Sequence, residues 1–224
     1  MQTKTEDHRR QLTTGAILLG LLITVVGAGA AGSPALAAPS AVQGAERYVI
    51  DASASQVLYH VGETFTDQNN RFFTAVGTTR SIQGEIMIDR AHPSQSRISP
   101  ISVDISLFNS NSRRRDNAIR KRWLESAKYP TAVFTPTAIQ GLPDTYVDGR
   151  DIAVRVAGNL KVRDVTKPVT FAGTVKLGGD RLTGRVTTSI LMTDFGFDPP
   201  SILGVLKAEN QAQLDLQLTA RRAP

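Results

Sequence analysis

The chain contains no cysteine. That excludes disulfides, thiolate metal sites, iron–sulfur clusters, cysteine nucleophiles and a lipidated N-terminal cysteine. Its three histidines, at positions 8, 60 and 92, are too few and too scattered for a histidine-rich metal site. Aromatic residues amount to 6%, with one tryptophan. Neither a glycine-rich phosphate loop nor a G-x-S-x-G nucleophile elbow occurs. Asp194-Phe195-Gly196 spells a kinase metal motif, but it closes a strand-like segment and lacks the companion segments that kinase chemistry requires. No cofactor is implied. What remains is a 224-residue chain, 41% hydrophobic and 21% charged, ordinary for a globular domain with a sizeable core. Its formal charge of +6 permits an anionic partner.

The N-terminus reads as an export segment. Lys4, Arg9 and Arg10 precede an uncharged run from Gly15 to Pro39, centred on Ala16 to Val26. Small residues at Ala35 and Ala37 suit signal peptidase, so cleavage is expected after Ala37 and an exported, secreted or envelope protein follows. The apolar centre is short for a span of roughly 20 residues, yet the Gly/Ala continuation to Ala31 keeps an uncleaved membrane anchor as the competing reading. Residues 1–37 contribute little net charge, so the rest is basic in its own right. We expect a short linker at 38–46, one domain over 47–220 and a tail at 221–224.

Period two dominates that domain. Ala212, Leu214, Leu216, Leu218 and Ala220 alternate with polar neighbours, the mark of a half-buried strand. The same alternation carries Ile152 to Val162, Val169 to Leu177, Leu182 to Met192, Ile82 to Ile88, Ile101 to Leu107, Val57 to Val61 and Val133 to Ile139. Turn signals at 164–168 and 178–180 separate them. About eight two-faced strands need one shared interior, as in a sandwich or a closed antiparallel barrel. Long strands with short connections favour the barrel. Glycines on the apolar face, at Gly84, Gly158, Gly173 and Gly184, let a sheet bend or leave room inside.

One segment breaks the pattern. Asn111 to Pro130 reads as a single inserted α-helix, with N-caps at Ser110 to Ser112 and a stop at Pro130. Ile119, Trp123 and Ala127 fall on one face, with Trp123 as the core anchor. Six arginines and lysines lie between Arg113 and Arg122. They form either a solvated face or, through Arg113, Arg114 and Arg120, a contact for anionic head groups or a membrane surface. Without interleaved aromatics they are a weak nucleic-acid footprint, and no nucleic acid is expected.

Three motifs, in order, carry a family resemblance. The first is Ile101-Ser102-Val103-Asp104-Ile105, Ser112 to Asp116, and Lys128-Tyr129-Pro130-Thr131-Ala132-Val133-Phe134. The second is Gly158-Asn159-Leu160-Lys161-Val162-Arg163-Asp164-Val165-Thr166-Lys167-Pro168-Val169, and the third is Asp194-Phe195-Gly196. Over about residues 47–220 the chain resembles the YceI family. The resemblance implies a lipocalin-like, eight-stranded antiparallel β-barrel and a polyisoprenoid ligand held inside it. Two departures stand out. Tyr59 to Phe65, followed by an insertion through Thr79, replaces the family's usual opening motif, and Asp164 stands where a turn glycine is usual.

An eight-stranded barrel is either filled by its own side chains or hollow enough for one small ligand. The inward positions expected to meet a ligand are Val57, Tyr59, Val61, Ile82, Ile86, Val103, Ile105, Phe108, Phe134, Val154, Val156, Leu160, Phe171, Val175, Ile190, Phe195, Leu214 and Leu216. They include no acid–base pair, which favours a noncatalytic binder of an isoprenoid or other apolar lipid over an exported lipid enzyme or a filled structural barrel. His60 falls on the polar face of its strand, and Asp104, Asp116 and Glu125 are expected to pair with nearby arginines. A homodimer stays open.

Overall fold

The structure is a computed structural model that describes residues 44–224. The export segment expected at 1–37, and the linker up to residue 43, lie outside the described residues. Thirteen strand segments form one antiparallel sheet. They are β1 (Ala45–Ile50), β2 (Gln56–Phe65), β3 (Arg71–Thr79), β4 (Ile82–Gln83), β5 (Glu85–Asp89), β6 (Arg97–Ile98), β7 (Ile101–Asp104), β8 (Thr131–Gln140), β9 (Asp151–Val162), β10 (Val165–Gly178), β11 (Arg181–Leu191), β12 (Ser201–Ile202) and β13 (Leu206–Arg222). One helix, α1 (Arg113–Ala118), continues into a π turn, Ile119–Trp123. Among the described residues no helix is long and apolar enough to cross a membrane.

The pairings close on themselves. β13 pairs with β2 and β2 with β3. After Arg80 and Ser81 the same path resumes as β4, which pairs with β7. β7 then leads through β8, β9, β10 and β11 back to β13. Reciprocal backbone bonds between Thr78 and Asn109, 2.9 and 3.0 Å, reinforce the joint where β4 is short. Eight strand paths therefore ring one interior, the barrel that the alternating pattern predicts. β1, β5 and β6 lengthen the wall at one end. In β9 every second residue from Ile152 to Val162 is buried, and those between are mostly exposed.

Antiparallel order decides which connections share an end. The β2–β3 turn, the β7–β8 connection with α1, the β9–β10 turn and the β11–β13 connection lie together at what we call the helix end. The β8–β9 connection and the β10–β11 turn lie at the far end. There Arg90 staples separate segments: it donates to Glu46 (2.9 Å), Asp148 (2.6 Å), the Tyr48 hydroxyl (3.0 Å) and the Gly179 carbonyl. Tyr48 is fully buried beneath it.

Several expectations are corrected. The stretch up to Thr79 that departs from the family's usual opening motif forms β3, paired along its whole length with β2. The strand expected to run to Leu107 ends at Asp104. The Asp104 carboxylate accepts bonds from the Ser106 amide (2.9 Å) and hydroxyl (2.6 Å) and starts a 3-10 turn there, which leaves Leu107 exposed. The helix is shorter than 111–130. Ser112 caps it as expected, but Leu124 N bonds Ile119 O (2.9 Å) in a π turn, and Glu125 takes a positive φ of 46° that ends it well before Pro130. Ala127 is exposed and Trp123 is half-buried, so neither is a core anchor. The β9–β10 turn consists of Arg163 and Asp164; Asp164, where a turn glycine is usual, does not take a positive φ, whereas Arg163 adopts the left-handed conformation at φ 57°. That places its guanidinium on Glu125 (2.8 Å) and on the Trp123 carbonyl (3.3 Å), tying the π turn to the barrel.

Candidate ligand cavity

The barrel is hollow. A cavity of about 270 Å³ runs inside it, walled from the helix end by Ile119 and Trp123 and from the far end by Leu142 and Tyr146. The buried apolar residues fall into three separate clusters around it, centred on Ile82 and Leu177, on Phe134 and Leu160, and on Val61 and Met192. No single plug fills the middle.

Of the inward positions expected from the sequence, all but one line this space: Val57, Tyr59, Val61, Ile82, Ile86, Val103, Ile105, Phe108, Phe134, Val154, Val156, Leu160, Phe171, Val175, Ile190, Leu214 and Leu216. Phe195 does not. It is 1% exposed but lies in the 3-10 turn Met192–Phe195, packed into the Phe134 and Leu160 cluster. Its motif neighbour Gly196 caps that turn at φ 76°, which is the structural use of Asp194-Phe195-Gly196.

Many of the other wall residues extend the same strand faces, such as Ile88, Ile101, Ile152, Val162, Leu177 and Leu182, and the rest come from connections: Ile119, Trp123 and Leu124 after α1, Leu142 and Tyr146 between β8 and β9, and Met192, Phe197 and Pro200 after β11. Ile119 and Trp123 were legible as an apolar helix face and Met192 as the end of an alternating strand, whereas Leu142, Tyr146, Phe197 and Pro200 sit in connections without a period that would distinguish them from solvated residues. The apolar-face glycines were expected to bend the sheet or leave room inside; at Gly158, and at Gly77, which the pattern did not single out, an aromatic ring takes that room. A Cβ on Gly158 would lie 2.6 Å from the Phe134 ring, and one on Gly77 would lie 2.2 Å from Tyr59. Aromatic rings occupy these notches, so the free space is further toward the axis.

Charge reaches the wall at few places. Glu63 on β2 is buried and accepts two bonds from Arg115 of α1, at 3.2 and 2.9 Å. Arg115 also donates to Ser110 Oγ (3.3 Å), and Ser110 is held by Asp116 at 2.6 Å. Asp215 is engaged by Arg185. Tyr59 faces the same region with a buried hydroxyl that makes no hydrogen bond of ordinary geometry. Burial, the largest effect, pushes its pKa up to about 12, with Ser110 and Arg115 partly offsetting it. Both carboxylates at the wall are thus already paired with arginine. Among the described residues no group of three or more His, Asp or Glu side chains stands close enough to hold a metal ion. His60 sits on the outer face of β2, half-buried, with Nε2 unpartnered.

The basic segment divides. Arg113 and Arg114 are exposed. Arg120, expected beside them as a head-group contact, is committed inward: it donates to the carbonyls of Ser106 (2.6 Å) and Phe108 (2.9 Å) and holds the turn after β7.

A closed antiparallel barrel with an apolar lumen and a short lid-like helix defines the class: lipocalin-like barrels with an internal cavity. The YceI-like domain model matches residues 48–220, and the chain belongs to that family. A UPF0312 protein of Azotobacter vinelandii is 33% identical over 174 residues, which cover 72% of this chain and 84% of that protein. A UPF0312 protein of Pseudomonas putida is 32% identical over 130 residues, 55% of this chain; the match spans 64% of that relative's length. Among solved structures, a polyisoprenoid binding domain from Saccharophagus degradans, implicated in plant cell wall breakdown, matches at TM-score 0.59 and 16% identity over 79% of this chain and 98% of that one. BcnA of Burkholderia cenocepacia matches at 0.57 and 18%, over 76% and 98%. At such identities these two likenesses speak for the fold.

Proposed function

We propose that this chain is a noncatalytic carrier that holds a long apolar lipid chain, of isoprenoid type, inside its barrel, and that it works outside the cytoplasm after residues 1–37 are removed. The observation that carries the reading is the unfilled cavity with an aliphatic and aromatic wall. Such a wall has little to offer a polar substrate and much to offer a hydrocarbon. Each buried CH₂ contributes about 0.8 kcal/mol, so a five-carbon unit contributes on the order of 4 kcal/mol without any directed polar contact. Support comes also from the Saccharophagus degradans domain, whose fold this chain shares and which binds polyisoprenoid. Among the described residues both carboxylates at the cavity wall, Glu63 and Asp215, are paired with arginines and form no convergent acid–base pair, which supports binding over turnover.

Native mass spectrometry of the chain expressed in a bacterium, followed by lipid extraction, tests both parts. The expected result is a protein mass beginning at Ala38 and a co-purifying lipid released on denaturation. A barrel that never carries lipid would overturn the carrier reading. Recovery of only the intact chain, in membranes, would overturn cleavage in favour of an anchor.

A further inference from the structure

We infer that the helix end of the barrel is a docking surface for an anionic lipid bilayer. The inference rests on the carrier reading for its purpose but on different residues for its support. Seven large apolar side chains are exposed among the described residues, and five of them belong to the helix end: Phe72 (56%), Phe73 (37%), Leu107 (56%), Leu191 (44%) and Leu203 (100%). Val49 and Val147 are the other two and lie on far-end segments. Scattered exposed apolar residues need no explanation, whereas a one-sided concentration does.

The shape of this end narrows the partner. Phe72 and Phe73 begin β3 just after the β2–β3 turn, and Leu203 tips the turn between β12 and β13. The two tips are joined: Thr66 N bonds Val205 O at 2.9 Å, and Leu206 pairs with Phe65. Side by side the two turns form a double tip, with Phe72 and Phe73 on opposite faces of β3 and Leu203 beside them. A protrusion of this kind enters a fluid layer more readily than it fits another folded surface, and aromatic and leucine side chains partition into the interfacial zone of a bilayer.

Charge specifies the head groups. Arg113, Arg114, Lys121 and Arg122 on the neighbouring helix and π turn are all exposed. Among the described residues none of the four has a carboxylate within ion-pair distance. Arg71 lies over the Phe73 ring at 4.5 Å, and Lys207 is exposed beside the second tip. The exposed acids of this end, Asp67, Asp164, Asp194, Asp198 and Glu209, are outnumbered by Arg71, Arg113, Arg114, Lys121, Arg122, Lys128 and Lys207. Cations ringing an apolar protrusion match anionic phospholipids, which attract each juxtamembrane Lys or Arg. Docked this way, the protein would set against the bilayer the end where Ile119 and Trp123 wall the cavity.

Because the chain has no cysteine, single labels are clean. Leu203→Cys, Phe72→Cys and, as the far-end control, Val147→Cys are each labelled in the full chain with an environment-sensitive fluorophore. Each is then mixed with phosphatidylcholine vesicles with or without phosphatidylglycerol. Blue shifts are expected for the labels at 203 and 72 on phosphatidylglycerol vesicles, suppressed by molar salt, and none at 147. Arg113→Gln with Arg114→Gln should weaken that response roughly thirtyfold. Equal shifts at 147, no shift at 203, or a response indifferent to the glutamine pair would overturn the docking surface. A protein-concentration-dependent shift without vesicles would also overturn it, in favour of a second copy. Lipid that co-purifies although the labels stay silent would leave the carrier reading standing alone. Shifts from a barrel that holds no lipid would do the reverse.

Discussion

Removing the Arg115 side chain isolates one interaction that joins α1 to the barrel. Both hydrogen bonds that Glu63 accepts come from this guanidinium, at 3.2 and 2.9 Å, and the Glu63 side chain is only 7% exposed. Arg115→Met therefore strands a carboxylate beside an apolar cavity. Losing one partner of a buried pair costs about 3–5 kcal/mol, because the orphaned charge has no water to replace it. Arg115 itself keeps 27% of its side chain in solvent, so the lower part of that range, about 3 kcal/mol, is the expected loss. For a domain of this size that lowers Tm by roughly 6–12 °C. The double change Glu63→Leu with Arg115→Met removes both charges and should recover most of the loss, since apolar replacements of buried ion pairs are often near neutral. Thermal unfolding of the wild type, both single variants and the double variant closes the cycle. If Arg115→Met lowers Tm by less than about 2 °C, Glu63 finds water without its partner, and this end of the cavity is wet rather than dry as argued.

Two further outcomes are expected. Val156→Arg, at a wall position that is 8% exposed in mid-β9, places an unpaired charge in the cavity and should cost several kcal/mol or abolish lipid retention; near-normal melting with lipid still bound would mean that β9 presents its other face inward. Stability should also fall in acid. Bonds from Ser53 and Arg221 hold Asp51 down at about 2, and Arg90, Tyr48 and Arg222 hold Glu46 below its usual range although burial acts to raise it. Depressed folded-state values stabilise above the ordinary carboxylate pKa and lose that stabilisation as pH drops through the folded values. Tm measured by circular dichroism should therefore decline between about pH 4.5 and 2, and a flat profile there would refute these pairings.

Much of the barrel was legible because a strand half-buried against one interior must alternate, and a closed sheet gives every strand the same inside. Hence Ile152 to Val162 and Ala212 to Ala220 declared their inward faces without any knowledge of neighbours. β3 was less readable: Arg71-Phe72-Phe73 opens it with two adjacent aromatics that stay exposed, which blurs period two, and pairing with β2 rather than its own pattern makes it a strand. The helix was overextended because capping and an i, i+4 apolar face are local signals. It ends instead in a π turn and at the positive φ of Glu125, and a non-local contact, Arg163 reaching across from the β9–β10 turn to Glu125 and the Trp123 carbonyl, ties that end to the barrel.

The sequence by itself determined the two-faced strands, the inward side chains along them and the basic segment between β7 and β8, since each is written in spacing or composition. Only the tertiary structure decided the rest. Whether inward side chains meet across the axis depends on strand number and on rings such as Tyr59 and Phe134 folding into glycine notches, so hollowness is a property of the closed ring and not of any strand. Likewise Arg113, Arg115 and Arg120 are chemically identical in sequence. Their separation into a free cation, the partner of a buried carboxylate and a brace for two carbonyls follows from which groups the fold brings within 3.2 Å of each guanidinium.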